Sequence, residues 1–131
     1  MQYPATSTVA ENQALSTPLY IHSIPNNNDN QDIVSMGCNA AVMCNRVIEN
    51  TYEVIAVELI ALVQAIDIRG ISKKLAPAST WLYENTRKLF PFFSEDFAPS
   101  KNMQQVKAWL METDITAHFS KDLKPKTPNA K

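Results

Sequence analysis

The stretch VIAVELIALVQAI, residues 54–66, decides how the rest of the chain is read. Only Glu58 and Gln64 interrupt it. As a helix it is apolar on every side, and a helix of that kind must be buried on every side. A carboxylate inside such a run has to be hydrogen-bonded, charge-paired or protonated. Glu58 is therefore expected to make a structural, buried polar contact to a neighbouring helix. Just upstream the pattern changes: Arg46, Glu49, Asn50 and Glu53 recur at i, i+3, i+4 and i+7, which marks one polar stripe on a helix. No proline occurs from Asp32 to Asp67, and Asp32 suits the helix start, where a carboxylate complements the dipole. At about 1.5 Å per residue, residues 32–67 would form a rod about 54 Å long. A compact chain of this size is only about 35 to 40 Å across, from a radius of gyration of about 14 Å. The remaining residues are too few to cover the rod, which is expected to belong to a larger assembly.

Outward from the rod, the chain reads as all-α, one long central helix with shorter flanking helices. Its only two glycines are Gly37 and Gly70, so a strand-rich fold would lack its turns. Pro4 suits a first helical turn, and ATSTVAENQAL extends that helix to Leu15 before Thr17-Pro18 ends it. A loop over residues 16–30 follows. Gly70 stops the rod, a helix spans residues 78–90 up to Pro91, and another spans residues 99–111. There is no internal repeat, and no heptad run long enough for a coiled coil. Residues 1–120 form the helical segment. The end KDLKPKTPNAK, residues 121–131, is proline-containing and poor in apolar side chains, and is expected to be a disordered tail.

The 131 residues suit one domain with a modest core. Twelve basic and 13 acidic side chains give a formal net charge of -1, which argues against nucleic acid or an anionic membrane as partner. No run of 18 uncharged apolar residues exists, and no secretory signal opens the chain. Cys38 and Cys44 fall six residues apart on different helix faces and should not bridge, so a reduced, cytoplasmic location is expected. Neither His22 nor His118 has a second ligand at i+3 or i+4, and no metal site is expected. The aromatic side chains of the C-terminal half, Trp81, Tyr83, Phe90, Phe92, Phe93 and Trp109, read as packing. No Ser-His-Asp spacing, GxGxxG, P-loop or HExxH is present.

Three stretches carry a resemblance. SIPNNNDNQDIVSMGCNAA (residues 23–41), IENTYEVIAVELIALVQAIDIR (residues 48–69) and the opening QYPATSTVAENQAL (residues 2–15) resemble the C-terminal part of the histidine and aromatic amino acid ammonia-lyases and aminomutases. There an SIP…NQD loop opens a long helix through VSMG, and the helix ends in an Ala-hydrophobic-Asp-hydrophobic-Arg motif, here Ala65 to Arg69. The resemblance covers about residues 2–112. It implies a fragment of the ammonia-lyase helical bundle, packed at the centre of a homotetramer. It also implies chemistry in which a methylidene-imidazolone, made from an internal Ala-Ser-Gly, captures the amino acid, a tyrosine removes a β-proton, and ammonia leaves or migrates.

On that resemblance Gln31 is the substrate-binding residue, with Asn30 a second candidate and Asp32 a structural cap. Gln31 stands where histidine lyases carry a glutamate and phenylalanine and tyrosine enzymes a glutamine. An uncharged amide both donates and accepts, which suits orienting a ligand better than taking its proton. Tyrosine or phenylalanine is thus expected before histidine. Asn27 stands where plant phenylalanine enzymes have a glutamate, a departure from the plant-type amine site. No catalytic residue is expected in this chain. It has no Ala-Ser-Gly, so no cofactor is expected in it, and the methylidene-imidazolone belongs to a missing N-terminal part. The expected partner is a homo-oligomer or a complementary N-terminal ammonia-lyase segment. The competing reading is a non-enzymatic helical relic, an oligomerisation or interaction module. More remote is an unrelated helical binding module whose NQD loop merely caps a helix.

Overall fold

The computed structural model describes residues 2–22, 35–95 and 97–119. Among these the chain is all-α, with five α-helices, two short 3-10 turns and no strand. Two compact units divide it, Met1–Val57 and Glu58–Lys131.

In the first unit, α1 (Gln2–Leu15) starts with Pro4 in its first turn, where a missing N–H costs nothing. Its threonines turn back on the backbone, Thr6 Oγ1 donating to the Gln2 carbonyl at 3.1 Å and Thr8 Oγ1 to that of Pro4 at 3.0 Å. Ser16 closes the helix by donating through its hydroxyl to the Gln13 carbonyl at 2.7 Å, just before Pro18 forbids continuation. A 3-10 turn, Leu19–His22, follows. The long helix α2 spans Gly37–Ile68, 32 residues. It begins at Gly37 and not at Asp32, because Met36 sits in the left-handed region with φ of 51° and cannot extend a right-handed helix backward. Asp32 lies outside the described residues. The Met36 carbonyl still accepts the first helical N–H, from Ala40 at 2.9 Å.

The polar stripe foreseen on α2 faces α1. Thr8 Oγ1 donates to Glu53 Oε1 at 3.2 Å, Asn50 Nδ2 to Asn12 Oδ1 at 2.9 Å, and Arg46 Nε to Glu11 Oε1 at 3.1 Å. The partners of Thr8 and Asn12 run backward along α2, so the two helices are antiparallel. Asn50, only 2% exposed, is fully committed to this contact.

In the second unit, α2 ends on a glycine for a stated reason. Gly70 has φ of 63°, its N–H bonds the Asp67 carbonyl, and the Ile71 N–H bonds that of Ile66 at 3.2 Å. This pair of bonds is a Schellman cap, whose left-handed residue is a glycine because no Cβ has to be accommodated. After a turn at Ser72–Lys74, α3 (Pro77–Leu89) and α4 (Ser100–Glu112) form, each within one residue of its expected bounds. Pro77 is pre-set for the first helical position of α3. Trp81 of α3 meets Trp109 of α4 at 5.6 Å between ring centroids, and Asn102 Nδ2 donates to the Leu89 carbonyl at 2.8 Å. Ile60, Val63, Phe90, Val106 and Leu110 are the buried apolar side chains of this unit. Phe90 also meets Phe93 and Phe97 at 5.8 and 5.7 Å.

A short α5, Ile115–Phe119, was not foreseen. Asp114 caps it, accepting from the Thr116 hydroxyl at 2.6 Å and the Ala117 N–H at 3.1 Å. Those bonds hold its carboxyl below the usual range. His118, expected to be an ordinary polar residue, stacks on Trp81 at 4.2 Å. Residues 121–131, expected to be a tail, lie outside the described residues.

The rod is covered only in part within this chain, which has too few other residues to enclose it. The helix is not buried on every side, since Ile55 is 42% and Leu62 54% exposed. Glu58 is exposed as well, so the buried contact expected for it is not made within this chain.

Candidate functional site

The residues singled out for a ligand, Gln31 and Asn30, lie with Asp32 outside the described residues. Their two flanks are described. On one side stands the turn Leu19–His22, and on the other Ser35 and Met36 lead into α2. Thr8, Glu11 and Asn12 of α1 hold Glu53, Arg46 and Asn50 of α2. These cross-links fix the helix that precedes the segment against the helix that follows it.

Between these flanks is a cavity of about 320 Å³ walled by Leu15, Pro18, Leu19, Met43 and Val47, with Asn12 and Cys44 adding an amide and a thiol. Among the described residues its walls are apolar and offer no ionisable pair for acid and base work. Cys38 and Cys44 are free and exposed. Among the described residues no group of three or more His, Cys, Asp and Glu side chains is placed to hold a metal ion, and no helix is long and apolar enough to cross a membrane.

The densest polar cluster lies in the second unit and was not foreseen. Arg87 of α3 pairs with Asp67 of α2 at 2.5 Å and donates to Gln64 Oε1 at 3.1 Å and to the Phe90 carbonyl at 3.2 Å. Gln64 Nε2 in turn donates to the Phe93 carbonyl at 2.7 Å. The Tyr83 hydroxyl donates to the other Asp67 oxygen. The guanidinium lies 5.7 Å from the centre of the Phe92 ring, and its Nε is buried with no partner among the described residues. The hydrogen bond to Asp67, then burial and the Asp67 charge, push the Tyr83 hydroxyl above its ordinary value, against the opposing pull of Arg87. With both oxygens engaged, Asp67 works as a clamp and not as a base. The sequence did carry a signal, Tyr83 and Arg87 at i and i+4 on one face of a helix, opposite an aspartate inside an apolar helix end.

Known proteins are similar to this chain in sequence and fold. A family model described as "Aromatic amino acid lyase" matches residues 1–88. A tyrosine ammonia-lyase of Cupriavidus metallidurans is 39% identical over 111 residues, covering 85% of this chain and 21% of that protein. A histidine ammonia-lyase of Geobacillus thermodenitrificans is also 39% identical, over 88% of this chain and 23% of its own length. The crystal structure of a tyrosine aminomutase from Streptomyces globisporus superimposes with a TM-score of 0.84 at 38% identity, over 92% of this chain and 23% of that one. The chain thus spans between a fifth and a quarter of the length of these relatives. With the matched stretch running from α1 through α2 and most of α3, the chain belongs to the aromatic amino acid lyase family.

Proposed function

We propose that this chain acts as the C-terminal part of an aromatic amino acid ammonia-lyase or 2,3-aminomutase, supplying the NQD segment and a bundle helix, and is not catalytic by itself. One observation carries the reading. The family match includes the NQD segment together with both helices that anchor its ends. Gln31 orients the substrate through an uncharged amide, Asn30 assists, and tyrosine or phenylalanine is preferred to histidine. Overall identity does not select the substrate, because the tyrosine and histidine relatives above are equally similar; the amide at position 31 does.

The family's electrophile finds no precursor here, since no Ala-Ser-Gly occurs in the 131 residues. No step of the reaction runs through a group made from these residues. What this chain contributes is the positioning of a ligand and the anchoring of helices. The residues that form and use the electrophile come from elsewhere, in the same polypeptide or another.

The test is a chimera in which residues 1–120 replace the equivalent stretch of the tyrosine ammonia-lyase from Cupriavidus metallidurans. Release of an aryl acrylate from tyrosine, read by absorbance, is expected. An assembled chimera that turns over neither tyrosine nor phenylalanine overturns the reading. In that chimera Gln31→Glu is expected to shift preference toward histidine, and unchanged selectivity removes Gln31 from the substrate contacts.

A second reading, an interaction module without catalysis, has its own support in the exposed apolar side chains Val42, Ile48 and Ile55 of α2. Bare apolar surface on that scale serves association. A chain that is monomeric at every concentration in size-exclusion chromatography rules it out.

A further inference from the structure

Helix α5 in the second unit has five residues and no buried side chain. So short a helix does not hold itself together in water. Two attachments hold it. Asp114 caps its first turn, accepting from the Thr116 hydroxyl and the Ala117 N–H. At the other end His118 stacks on Trp81 of α3, with the ring centroids 4.2 Å apart and the planes 27° from parallel. Phe119 meets the same indole edge-on at 6.2 Å, and Trp81 in turn leans on Trp109 of α4 at 5.6 Å. Trp81 is the seat on which α5 rests.

An imidazole is the side chain whose charge ordinarily changes between about pH 5 and 8. Neutral, it stacks as any flat ring does. Protonated, it adds a cation–π attraction, which is strongest toward an indole. The charges of the neighbouring elements favour the cation. Asp114 is close enough that, after the hydrogen bonds from Thr116 and Ala117, the charge of His118 helps to hold its carboxyl below the usual range. Glu84 stands one turn beyond Trp81 on α3, and Glu112 one turn beyond Trp109 on α4, both exposed. The basic residues of these helices are placed elsewhere. Lys88 and Lys101 are about two turns from the two indoles, Lys107 precedes Trp109 by two positions and so takes the opposite side of α4, and Arg87 is paired with Asp67.

We propose that α5 is a strap that opens and closes over Trp81, latched by His118 and closed more firmly when the imidazole is protonated. Elements with few buried apolar contacts open below the free energy of global unfolding. The strap therefore responds to a proton while Phe90, Val106 and Leu110 stay buried. The added attraction is expected to shift the closing equilibrium about two- to fivefold between the charged and neutral rings. Closure is thus firmest on the acidic side of the imidazole range and weakens as the pH rises through it. The contacts all lie in one unit, so the strap stands or falls independently of the lyase reading.

The test uses the full chain with Trp109→Phe, which leaves Trp81 as its one tryptophan. Acrylamide, a neutral quencher, is titrated at about pH 5.5 and about pH 8, toward the two ends of the imidazole range. Stronger quenching at the higher pH is expected. His118→Phe keeps a ring that stacks but cannot titrate, and should quench weakly at both values; His118→Gln should quench strongly at both. Equal quenching of the parent at the two values, stronger quenching at the lower one, or a pH dependence that survives in His118→Gln or His118→Phe overturns the proposal. A second arm uses the chain with both tryptophans. The carbon-bound imidazole protons of His118 should lie upfield of those in the peptide ITAHF, by the ring current of Trp81, and further upfield at about pH 5.5 than at about pH 8 when each is compared with the peptide at the same pH. Protons that match the peptide at both values, or a far-UV circular dichroism change larger than five helical residues can give, also overturn it.

Discussion

The two stretches of α2 hold their neighbours by different chemistry. From Arg46 to Glu53 the helix meets α1 through three side-chain polar contacts, and two of the buried residues in that unit, Thr8 and Asn50, are polar. From Ile60 onward the buried set is Ile60, Val63, Phe90, Val106 and Leu110, with Thr86 the polar exception. Apolar surfaces stabilise without direction and tolerate sliding. Paired amides and a hydroxyl on a carboxylate bind in one register, and a one-turn slip of α1 would leave Asn50 buried without a partner. The first unit is therefore specified by its contacts more than it is stabilised by them, and the second the reverse.

The largest effect expected from this contrast is at Phe90, which is 0% exposed. Phe90→Ala should cost about 3–5 kcal/mol, read in urea titrations. Both tryptophans, Trp81 and Trp109, belong to the second unit, so their fluorescence reports on it alone. A loss under about 1 kcal/mol would mean that the apolar core is not what holds this unit.

Next comes the clamp. Asp67→Asn keeps the volume of the side chain but leaves Arg87 without its counter-charge. The Arg87 and Asp67 side chains retain 14% and 21% exposure. The expected cost is therefore about 2 kcal/mol, below that of breaking a fully buried pair. An unchanged tryptophan transition would reduce the cluster to a surface ion pair.

The polar register of the first unit predicts a smaller but unequal pattern. Asn50→Ala strands the Asn12 carbonyl beside a buried position and should cost about 1–2 kcal/mol. Arg46→Ala removes a contact whose side chains are 53% and 45% exposed, and should cost under about 1 kcal/mol. Far-UV circular dichroism during denaturation, with tryptophan fluorescence as the control for the other unit, separates the two. Equal costs at Asn50 and Arg46 would break the distinction between register and surface.

These contrasts also show what could be read in the sequence. Helix positions were legible because Pro18, Gly70, Pro91 and Pro99 punctuate the chain by steric rules that need no partner. Met36 hid the start of α2, since nothing about a methionine announces a positive φ. The stripe from Arg46 to Glu53 was visible, but not that it faces α1, because charge periodicity is the same toward water and toward a polar neighbour. Residues 54–66 read as too apolar for the remaining residues to cover, and Leu62, 54% exposed, shows a face that this chain leaves bare. α5 escaped because five residues carry too little propensity to stand out. Gln31 and Asn30 came from resemblance and not from spacing. The Asp67–Tyr83–Arg87 cluster stayed hidden because its members meet only after α3 folds back.

The smallest effect sharpens the comparison from the alkaline side. Tyr83 donates to Asp67, and that bond with burial lifts its hydroxyl above the ordinary value, which is about 10 for an unperturbed tyrosine. The unfolded chain therefore releases this proton at a lower pH than the folded one, and ionisation favours unfolding. The stabilisation is complete below about pH 10 and is lost as the pH rises through the folded value. Tyr83→Phe removes the titrating group, so its stability should fall less steeply above about pH 10 than that of the parent chain. Below that pH the variant should be slightly weaker, having lost one donor to Asp67. Tyr83 and Asp67 both lie in the second unit, so the difference in slope belongs to the apolar unit and its clamp. Identical alkaline slopes for parent and variant would mean that the phenol proton is not held by Asp67 in solution.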